Sequence, residues 1–539
     1  MNLNKIVLVI LLGASSAFGQ DIGTTEVKVV EGFKPVIPGA SRLNENATFA
    51  DTIRKDRTQI YEVVDVYINS NYKTRPLAAA QVKDDKIAEL YATKIGLGFG
   101  NAFMTNASVV HNSRRSRSLS FGLFANHFAN KYYLAKNSKN TMCAYAKKIE
   151  SSYIFLANLN YERNTASYYN EEINLEEDKF FRNRFAYTKF SFSAISTEES
   201  SQKLKHHTTF FVSDLNELSE NQVHLGSNLR KTINGLPYSL EITFDNYLRY
   251  NNSDSKVKNT DLKILDFSPN VSFNRFGIDF DIGFDFDLAD DLSLGFFPGF
   301  KATKELVKNV LLVYGGLNHD EQIHTLKSLS DENPYIHSFG TNQSNLGDSS
   351  ALQELEITDI QELYIGIRNV LGKGEVFEGS IAYGIVSNFS HFIHSDYENY
   401  HRFNVVYIDE NVKQLYAHAN YSRNINEIIS LHANVDYFDW DMDVYYKPNL
   451  TINLSAPINL RDKIKVSPLV SYMAERSVMS DNIYELPAQI HINLGVYYSY
   501  SNQLSAYLQL NNLTNSKEDL WLGYREIGFN GLFGVDFSF

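Results

Sequence analysis

Four aspartates alternate with apolar residues in the segment 277–288, GIDFDIGFDFDL. Asp279, Asp281, Asp285 and Asp287 occupy odd positions, whereas Ile, Phe and Leu occupy the even ones. A row of carboxylates at this spacing can select cations or guide a charged ligand along a channel. The favoured alternative is a solvated wall that keeps a polar interior wet.

A second candidate group is the histidine-rich segment 391–401, HFIHSDYENYH. His391, His394 and His401 stand among aromatic and acidic residues, so surface recognition and metal capture are both hypotheses for them. Their spacing matches no metal-ligand motif, and an ordinary surface loop is the favoured interpretation. The sequence predicts no metal site and no cofactor.

Catalytic motifs are absent from the sequence. It contains no GxSxG, HExxH or P-loop pattern, so we predict no catalytic residue and no enzymatic activity. Cys143 is the single cysteine, which excludes an intrachain disulfide and a CxxC metal site. The net charge of −13 argues against a nucleic-acid partner.

The elements that must carry these side chains are β-strands. Alternation over 277–288 puts all apolar residues on one face, whereas a helix would scatter them around its circumference. The same pattern recurs at 240–245, 490–500 and 533–539. The strands are long, about ten residues or more, and their polar faces are rich in Gly, Ser, Asn and Asp. This favours a transmembrane antiparallel β-barrel over a soluble sandwich, which also shows alternation.

Composition supports a barrel. Hydrophobic residues make up 43% of the 539-residue chain but mean hydropathy is −0.29, so apolar and polar residues are interleaved. This excludes a multi-span helical membrane protein. Aromatic residues reach 13%, and Phe438 and Trp440 are interpreted as part of an aromatic girdle. Alternating segments predict an all-β barrel of about 22 strands, within a range of roughly 18 to 22.

The chain is predicted to have three parts. Residues 1–19 read as a signal peptide, with Lys5, an apolar core over 6–12 and small residues before Gln20. Residues 20–86 are predicted to be a periplasmic or lumenal segment, and residues 87–539 the outer-membrane β-barrel.

The C-terminus ends in alternating aromatics, Phe533, Phe537 and Phe539, which we interpret as the signal read by the barrel-assembly machinery. Upstream, 512–515 (NLTN) and 521–529 resemble the C-terminal signature of TonB-dependent receptors. The run 95–101 (IGLGFGN) resembles the opening strand of shorter receptor-like proteins of Bacteroidota.

This resemblance implies an outer-membrane receptor or transporter that binds or takes up a ligand at the cell surface. The partners it implies are outer-membrane lipids and lipopolysaccharide, together with TonB or a periplasmic or lipoprotein partner. Two alternatives stay open: a structural or assembly subunit of an envelope complex without a plug, and a passive porin.

One departure from the family concerns the plug domain. Family transporters carry a plug of well over a hundred residues, whereas 20–86 supplies 67. A 22-strand barrel needs its lumen filled. We therefore predict that 20–86, inward loops or a partner blocks the lumen. The least strand-like stretch, 317–356, is a candidate inward loop.

Overall fold

The computed structural model describes residues 90–114, 116, 118–132, 135–167, 182–198, 200, 202–215, 220–249, 261–289, 294–336, 356–372, 374–394, 403–478 and 484–539. The chain divides into two units, Met1–Asp85 and Lys86–Phe539. The predicted signal peptide, 1–19, and the predicted segment 20–86 lie outside the described residues. All of the structure below belongs to the second unit.

The second unit is a closed antiparallel barrel of 22 strands, which confirms the predicted fold and strand number. The barrel strands are β1 (Thr93–Gly100), β2 (Thr105–Asn112), β3 (Leu119–Tyr132), β4 (Ala135–Ile149), β5 (Tyr153–Ser167), β6 (Arg182–Ser196), β7 (Lys205–Leu215), β8 (Glu220–Ile233), β9 (Leu236–Arg249), β10 (Leu262–Arg275), β11 (Ile278–Ala289), β12 (Leu294–Val307), β13 (Leu311–His324), β14 (Glu356–Gly372), β15 (Glu375–Ser387), β18 (Val412–Asn424), β19 (Ser430–Trp440), β20 (Leu450–Ser455), β21 (Ile458–Leu460), β22 (Ile464–Met473), β25 (Gln489–Ser499), β26 (Leu504–Asn511) and β29 (Asn530–Ser538). One of the 22 is interrupted, because β20 and β21 follow each other and both pair with β22.

The barrel closes where the first strand meets the last. β1 pairs with β2 on one side and with β29 on the other, with Ile95 opposite Phe537. Thr93 and Phe539 exchange both backbone hydrogen bonds, at 3.0 and 2.9 Å. Because the barrel closes, the backbone N–H and C=O groups at this seam form hydrogen bonds within the sheet. The hydrocarbon interior of a membrane offers no water to bond them, so such internal hydrogen bonds are required.

The outer surface of the barrel is apolar. Around the seam, Leu97, Phe99 and Phe533 are 53%, 67% and 56% exposed, and the far side shows the same with Leu363 at 66%. Because large apolar side chains cover the outside, the barrel spans a membrane with these residues facing lipid. Among the described residues, no helix is long and apolar enough to cross a membrane.

The lumenal side of the seam is polar and tightly fitted. The Tyr507 hydroxyl accepts a hydrogen bond from Asn106 Nδ2 at 2.9 Å. The tyrosine ring lies across Gly534, where an added Cβ would clash with Tyr507 Cζ. Glycine is therefore needed at this position to let the ring lie against the wall.

The two ends of the barrel differ. At the proximal end, which carries Thr93 and Phe539, described connections include tight turns such as Asn234-Gly235. Both of these residues have positive φ, 52° and 85°, as a two-residue hairpin turn requires. The Asn-Gly pair is typical of such a turn.

At the distal end, opposite Thr93 and Phe539, the described connections are longer and contain elements of their own. The β13–β14 connection holds a short helix, α1 (Leu326–Glu332). Three others hold small hairpins. These are β16 (Phe389–His394) with β17 (Phe403–Ile408), β23 (Arg476–Val478) with β24 (Tyr484–Leu486), and β27 (Asp519–Trp521) with β28 (Tyr524–Arg525).

Candidate functional site: a capped distal mouth

The distal connections share one buried hydrophobic core, which we call the distal cap. It joins α1, the three small hairpins and the loop after β19 to the inner wall of β6, β7, β9 and β10. Its buried side chains are Phe185, Leu215, Tyr247, Ile264, Leu326, Leu329, Ile336, Phe392, Phe403, Val405, Tyr446, Val478, Leu486, Trp521 and Tyr524. Strands β6–β10 and β22–β29 lie on opposite sides of the barrel, so these loops reach across its mouth.

Aromatic rings form the centre of the cap. Trp521 lies 5.1 Å from Phe392, 5.2 Å from Phe403 and 5.0 Å from Tyr446, measured between ring centroids. Tyr524 stacks on Tyr335 at 3.6 Å. Each buried aromatic contributes a large apolar area, and such pairs add about 0.5–1.5 kcal/mol beyond the area itself.

Hydrogen bonds fasten the cap to the wall. The Glu220 carboxylate accepts from the backbone N–H of Leu326 at 2.8 Å, and Asn183 donates to the carbonyls of Pro334 and Ile336 at 2.8 and 2.9 Å. Thr325 caps α1 by accepting from the backbone N–H of Ser328. These bonds satisfy buried backbone groups and so fix the β13–β14 connection against the wall.

Arginine and glutamine side chains join the loops to one another. Arg476 donates to the carbonyl of Leu520 at 2.8 Å, and Gln489 donates to the carbonyl of Asp519 at 3.0 Å. Both side chains belong to the β22–β25 region, whereas both carbonyls belong to the β26–β29 connection. The two neighbouring loops therefore form one body.

Two histidines are buried in the cap. His324 pairs through Nε2 with the Thr358 hydroxyl at 2.7 Å, and His391, in hairpin β16–β17, meets the Tyr445 ring edge-on at 5.0 Å. Burial, together with the nearby Lys447 ammonium, lowers the pKa of His391 to about 4. His391 is therefore neutral at physiological pH.

Below the cap, β13 separates from β12, whereas β14 stays paired with β15 up to Asp359 and Ser387. The β12–β13 ladder ends at the pair Phe300–Leu317, whereas the β13–β14 ladder continues to His324–Glu356. The last residues of β13 therefore form no backbone pairs with β12. The side chain of His319 nevertheless stacks on Phe297 of β12, with 3.6 Å between ring centroids. The stretch 317–356, predicted to be a functional loop or to fold partly into the lumen, begins as strand up to His324 and continues in α1. Residues 337–355 lie outside the described residues.

This end of β13 meets the predicted aspartate stripe. All four stripe residues lie on β11, on the face opposite the exposed Ile282 and Phe284. The two aspartates nearer the proximal end accept hydrogen bonds from the neighbouring strand β10. Asp279 accepts from Asn274, and Asp281 accepts from Ser272.

The two aspartates nearer the distal end face the same end of β13. Asp285 Oδ2 lies 3.9 Å from His319 Nδ1, and Asp359 Oδ1 lies 3.4 Å from His319 Nε2. Asp287, His319 and Glu321 each bring one ligand-type atom within 4.8 Å of the others. The stripe therefore ends in a cluster of carboxylates around a single imidazole.

The other predicted residues have different surroundings. His391 is buried in the cap and not displayed on a surface loop, since hairpin β16–β17 turns its side chain inward. The side chain of His394 and all of His401 lie outside the described residues. Phe533, Phe537 and Phe539 lie at the seam, with Phe533 and Phe537 on β29 and Phe539 directly after it.

The girdle interpretation of Phe438 and Trp440 is wrong. Trp440 packs edge-on against Phe389 at 6.0 Å, beside a second buried cluster of Val386, Val412 and Val444. Its indole N–H donates to Gln414 at 2.9 Å. The period-two alternation holds along β19, but the face that carries Phe438 and Trp440 points to the interior of the barrel.

Sequence reasoning did not single out His319, Glu321 or Trp521. His319 and Glu321 lie two apart on β13, so both point to one face, a signal that the sequence contained. Which face meets the aspartates follows only from the separation of β13 from β12.

Solved structures share this architecture. The chain is similar to a mutant of the ferric enterobactin receptor PfeA of Pseudomonas aeruginosa, with a TM-score of 0.59 and 10% identity over 83% of this chain and 80% of that chain. It is similar to the siderophore receptor PirA of Acinetobacter baumannii, with a TM-score of 0.60 and 11% identity over 84% and 81%. It is also similar to the ferric-catecholate import receptor Fiu of E. coli K12, with a TM-score of 0.59 and 10% identity over 84% of this chain and 82% of that chain.

No family model and no curated protein matches the sequence. At these identities the structural likeness shows the fold. The class that the fold defines is a closed 22-strand transmembrane β-barrel. The barrel therefore resembles the barrels of these receptors in fold.

Proposed function

We propose that the protein is an outer-membrane receptor or transporter that takes up a ligand through a capped barrel. The observation that carries the proposal is the distal cap, a packed core across the mouth of a closed 22-strand barrel. A passive porin needs an open path, whereas a receptor needs a closed one that opens on demand. The neighbours named above are receptors and not enzymes, and this supports a non-enzymatic role.

Thr93, near the start of the described barrel, and Phe539 both lie at the proximal end. We place this end on the periplasmic side of the membrane, so that the distal cap faces the outside. The ligand then meets the cap first. Candidate partners are TonB or another periplasmic protein that binds 20–86, the barrel-assembly machinery and the surrounding lipopolysaccharide.

The test is conductance of the mature protein in planar bilayers with four variants. These are the unaltered protein, Trp521→Ala in the cap, a deletion of 20–86, and the combination of the last two. We expect the unaltered protein to stay closed. If the cap and 20–86 close the lumen independently, only the combined variant should conduct strongly.

Other outcomes point to the other functions. Large stable conductance of the unaltered protein would contradict the proposal and favour a porin. If all four variants stay closed and the protein co-purifies with a stoichiometric envelope partner, an assembly role replaces it. A cation preference in the conducting variant that disappears when Asp279, Asp281, Asp285 and Asp287 become Asn would support the functional interpretation of the stripe. An unchanged preference would support a solvated wall.

A further inference from the structure

The cluster at the upper end of the aspartate stripe combines the donor types that bind transition metals. Asp287 comes from β11, and His319 and Glu321 come from the end of β13 beyond its pairing with β12. One ligand-type atom from each lies within 4.8 Å of the other two. A tetrahedral zinc ion holds its N and O ligands at about 2.0–2.2 Å, which puts these ligands some 3–3.5 Å apart. Small side-chain shifts are enough to reach this spacing.

The imidazole is held in place on several sides. The His319 side chain is 4% exposed and stacks on Phe297 with 14° between the ring planes. Its Nε2 faces the Asp359 carboxylate at 3.4 Å, while Nδ1 is 3.9 Å from Asp285. Histidines that bind metals usually present the second ring nitrogen to a carboxylate, which fixes the tautomer and strengthens the ligand. Asp359 occupies this place.

The charge around the imidazole is unbalanced. Asp287 and Asp266 lie directly opposite each other in the β10–β11 ladder, and Asp285, Glu321 and Asp359 surround His319. No Lys or Arg of the described residues forms an ion pair with any of these five carboxylates. Such a set of buried or half-buried carboxylates is costly without a cation or shared protons.

One oxygen in the cluster lacks any partner. Asp287 Oδ2 is buried and has no hydrogen-bond partner among the described residues. The Glu321 carboxylate lies close by, and it is also an acceptor when ionised. Two facing carboxylates need either a shared proton or a cation between them. A divalent cation meets this need and gains His319 as a third ligand.

We propose that Asp287, His319 and Glu321 bind a divalent transition-metal ion, with Asp359 orienting His319 from behind. One nitrogen and two oxygen donors suit Zn²⁺ and its neighbours in the series, whereas Ca²⁺ and Mg²⁺ prefer oxygen ligands alone. Asp285 and Asp359 side chains are each 32% exposed, so the ion enters from the watery lumen. Bound there, it ties this end of β13 to β11 beneath the cap.

The experiment is isothermal titration of the folded mature protein in detergent with ZnCl₂, after removal of metals by a chelator. We expect one high-affinity equivalent per chain. Glu321→Gln and His319→Gln should each weaken binding by at least about tenfold, since ligand and orienting residues are worth that much or more. A hundredfold excess of Ca²⁺ or Mg²⁺ should leave zinc binding unchanged, because neither suits an imidazole ligand.

Asp279→Asn is the matched control. It removes a carboxylate from the same face of β11, but Asp279 is bonded to Asn274 at the other end of the strand, away from the cluster. This variant should bind zinc like the unaltered protein. Heat-modifiable migration in gels verifies that each variant forms the barrel.

Two results would overturn the proposal. One is the absence of zinc binding by the unaltered protein, which would mean that shared protons balance the carboxylates. The other is equal binding by the unaltered protein and the Glu321→Gln and His319→Gln variants, which would place zinc elsewhere. If a variant fails to fold, the visible spectrum of Co²⁺ bound to the unaltered protein decides whether an imidazole nitrogen is a ligand. This binding test is separate from conductance, so it can fail while the receptor function stands.

Discussion

Trp521 and Phe403 lie edge to face in the middle of the distal cap, with 5.2 Å between ring centroids and 64° between ring planes. Trp521 ends β27, in the connection between β26 and β29, whereas Phe403 begins β17, in the connection between β15 and β18. Both are buried, at 7% and 0% exposure. The pair joins loops from separate parts of the rim, so the cap is one packed body rather than a set of independent loops.

Trp521→Ala should loosen the cap and leave the barrel intact. Removing a large buried aromatic costs about 3–5 kcal/mol, and the loops share this one aromatic centre. Hydrogen exchange should accelerate in β16–β17 and β23–β24 while the barrel strands keep their protection. Tyr500→Ala is the control, because Tyr500 is 67% exposed near the proximal end. Unchanged exchange in the distal hairpins of the Trp521 variant would show that Trp521 does not hold the cap together.

Acidification should loosen the cap. His391 has a folded-state pKa of about 4, below the value of about 6.5 of an unfolded chain. The unfolded loop therefore binds more protons between these values, and stability falls as pH drops from about 6.5 towards 4. The full pKa shift of His391 corresponds to a loss of up to about 3 kcal/mol in the free energy of unfolding of the cap. Protease cleavage of the distal loops should rise severalfold between about pH 7 and pH 5.

The histidine contribution can be separated from that of nearby charges. Lys447, Glu332 and Tyr445 also face this region, and Lys447 contacts Glu332. His391→Phe keeps the ring contact with Tyr445 and removes a buried nitrogen, Nδ1, that has no hydrogen-bond partner among the described residues. This variant should lose part of the pH dependence, because burial also lowers the pKa of His324 to about 4 and that contribution remains. His127→Phe, on the barrel wall, should retain all of it. Identical pH profiles for all three proteins would assign the effect to other groups.

The barrel could be predicted from the sequence because its information is local. Alternation with a period of two marks each strand, and in 277–288 it assigns Asp285 and Phe284 to opposite faces without any knowledge of neighbours. The Asn234-Gly235 turn is likewise set by two adjacent residues with positive φ. Strand number then follows from counting segments.

The cap could not be predicted because its contacts are long-range. Phe392, Tyr446 and Trp521 sit in short irregular segments with no periodicity, and only the closed barrel brings them together. Trp440 shows the same limit, since alternation assigns it to a face but does not say that the face is internal. The surroundings of His319 could not be predicted because β13 loses its pairing with β12 after Leu317, and no local pattern marks this separation.

Gly534→Ala should destabilise the barrel at its seam. An added Cβ would clash with Tyr507 Cζ, so the tyrosine ring must move and lose its hydrogen bond with Asn106. The temperature at which the barrel unfolds in gels should drop by several degrees. Gly495→Ala is the matched control, because its added Cβ would meet nothing closer than 3.8 Å.

A double variant tests the cause of this effect. If the clash with Tyr507 is responsible, Gly534→Ala should cost little in a Tyr507→Ala background, where the ring is absent. The two substitutions are then strongly non-additive, as expected for residues in contact. An equal fall in unfolding temperature in both backgrounds would instead show that Gly534→Ala acts through the backbone of β29.

Phe539→Ala should reduce assembly into the outer membrane far more than it reduces stability. The Phe539 ring is 49% exposed and touches Phe537 at 5.9 Å, so the folded barrel gains little from burying it. Both hydrogen bonds with Thr93 use the backbone and survive the substitution. The ring is therefore free to serve as the predicted assembly signal before the barrel closes.

The measurements are the amount of heat-modifiable protein in outer-membrane fractions and the unfolding temperature of the purified variant. Phe529→Ala, 46% exposed in the distal connection, is the control and should assemble normally. Equal assembly of the Phe539 variant and the unaltered protein would remove Phe539 from the signal. A parallel loss of assembly and unfolding temperature would instead make the ring a structural part of the seam.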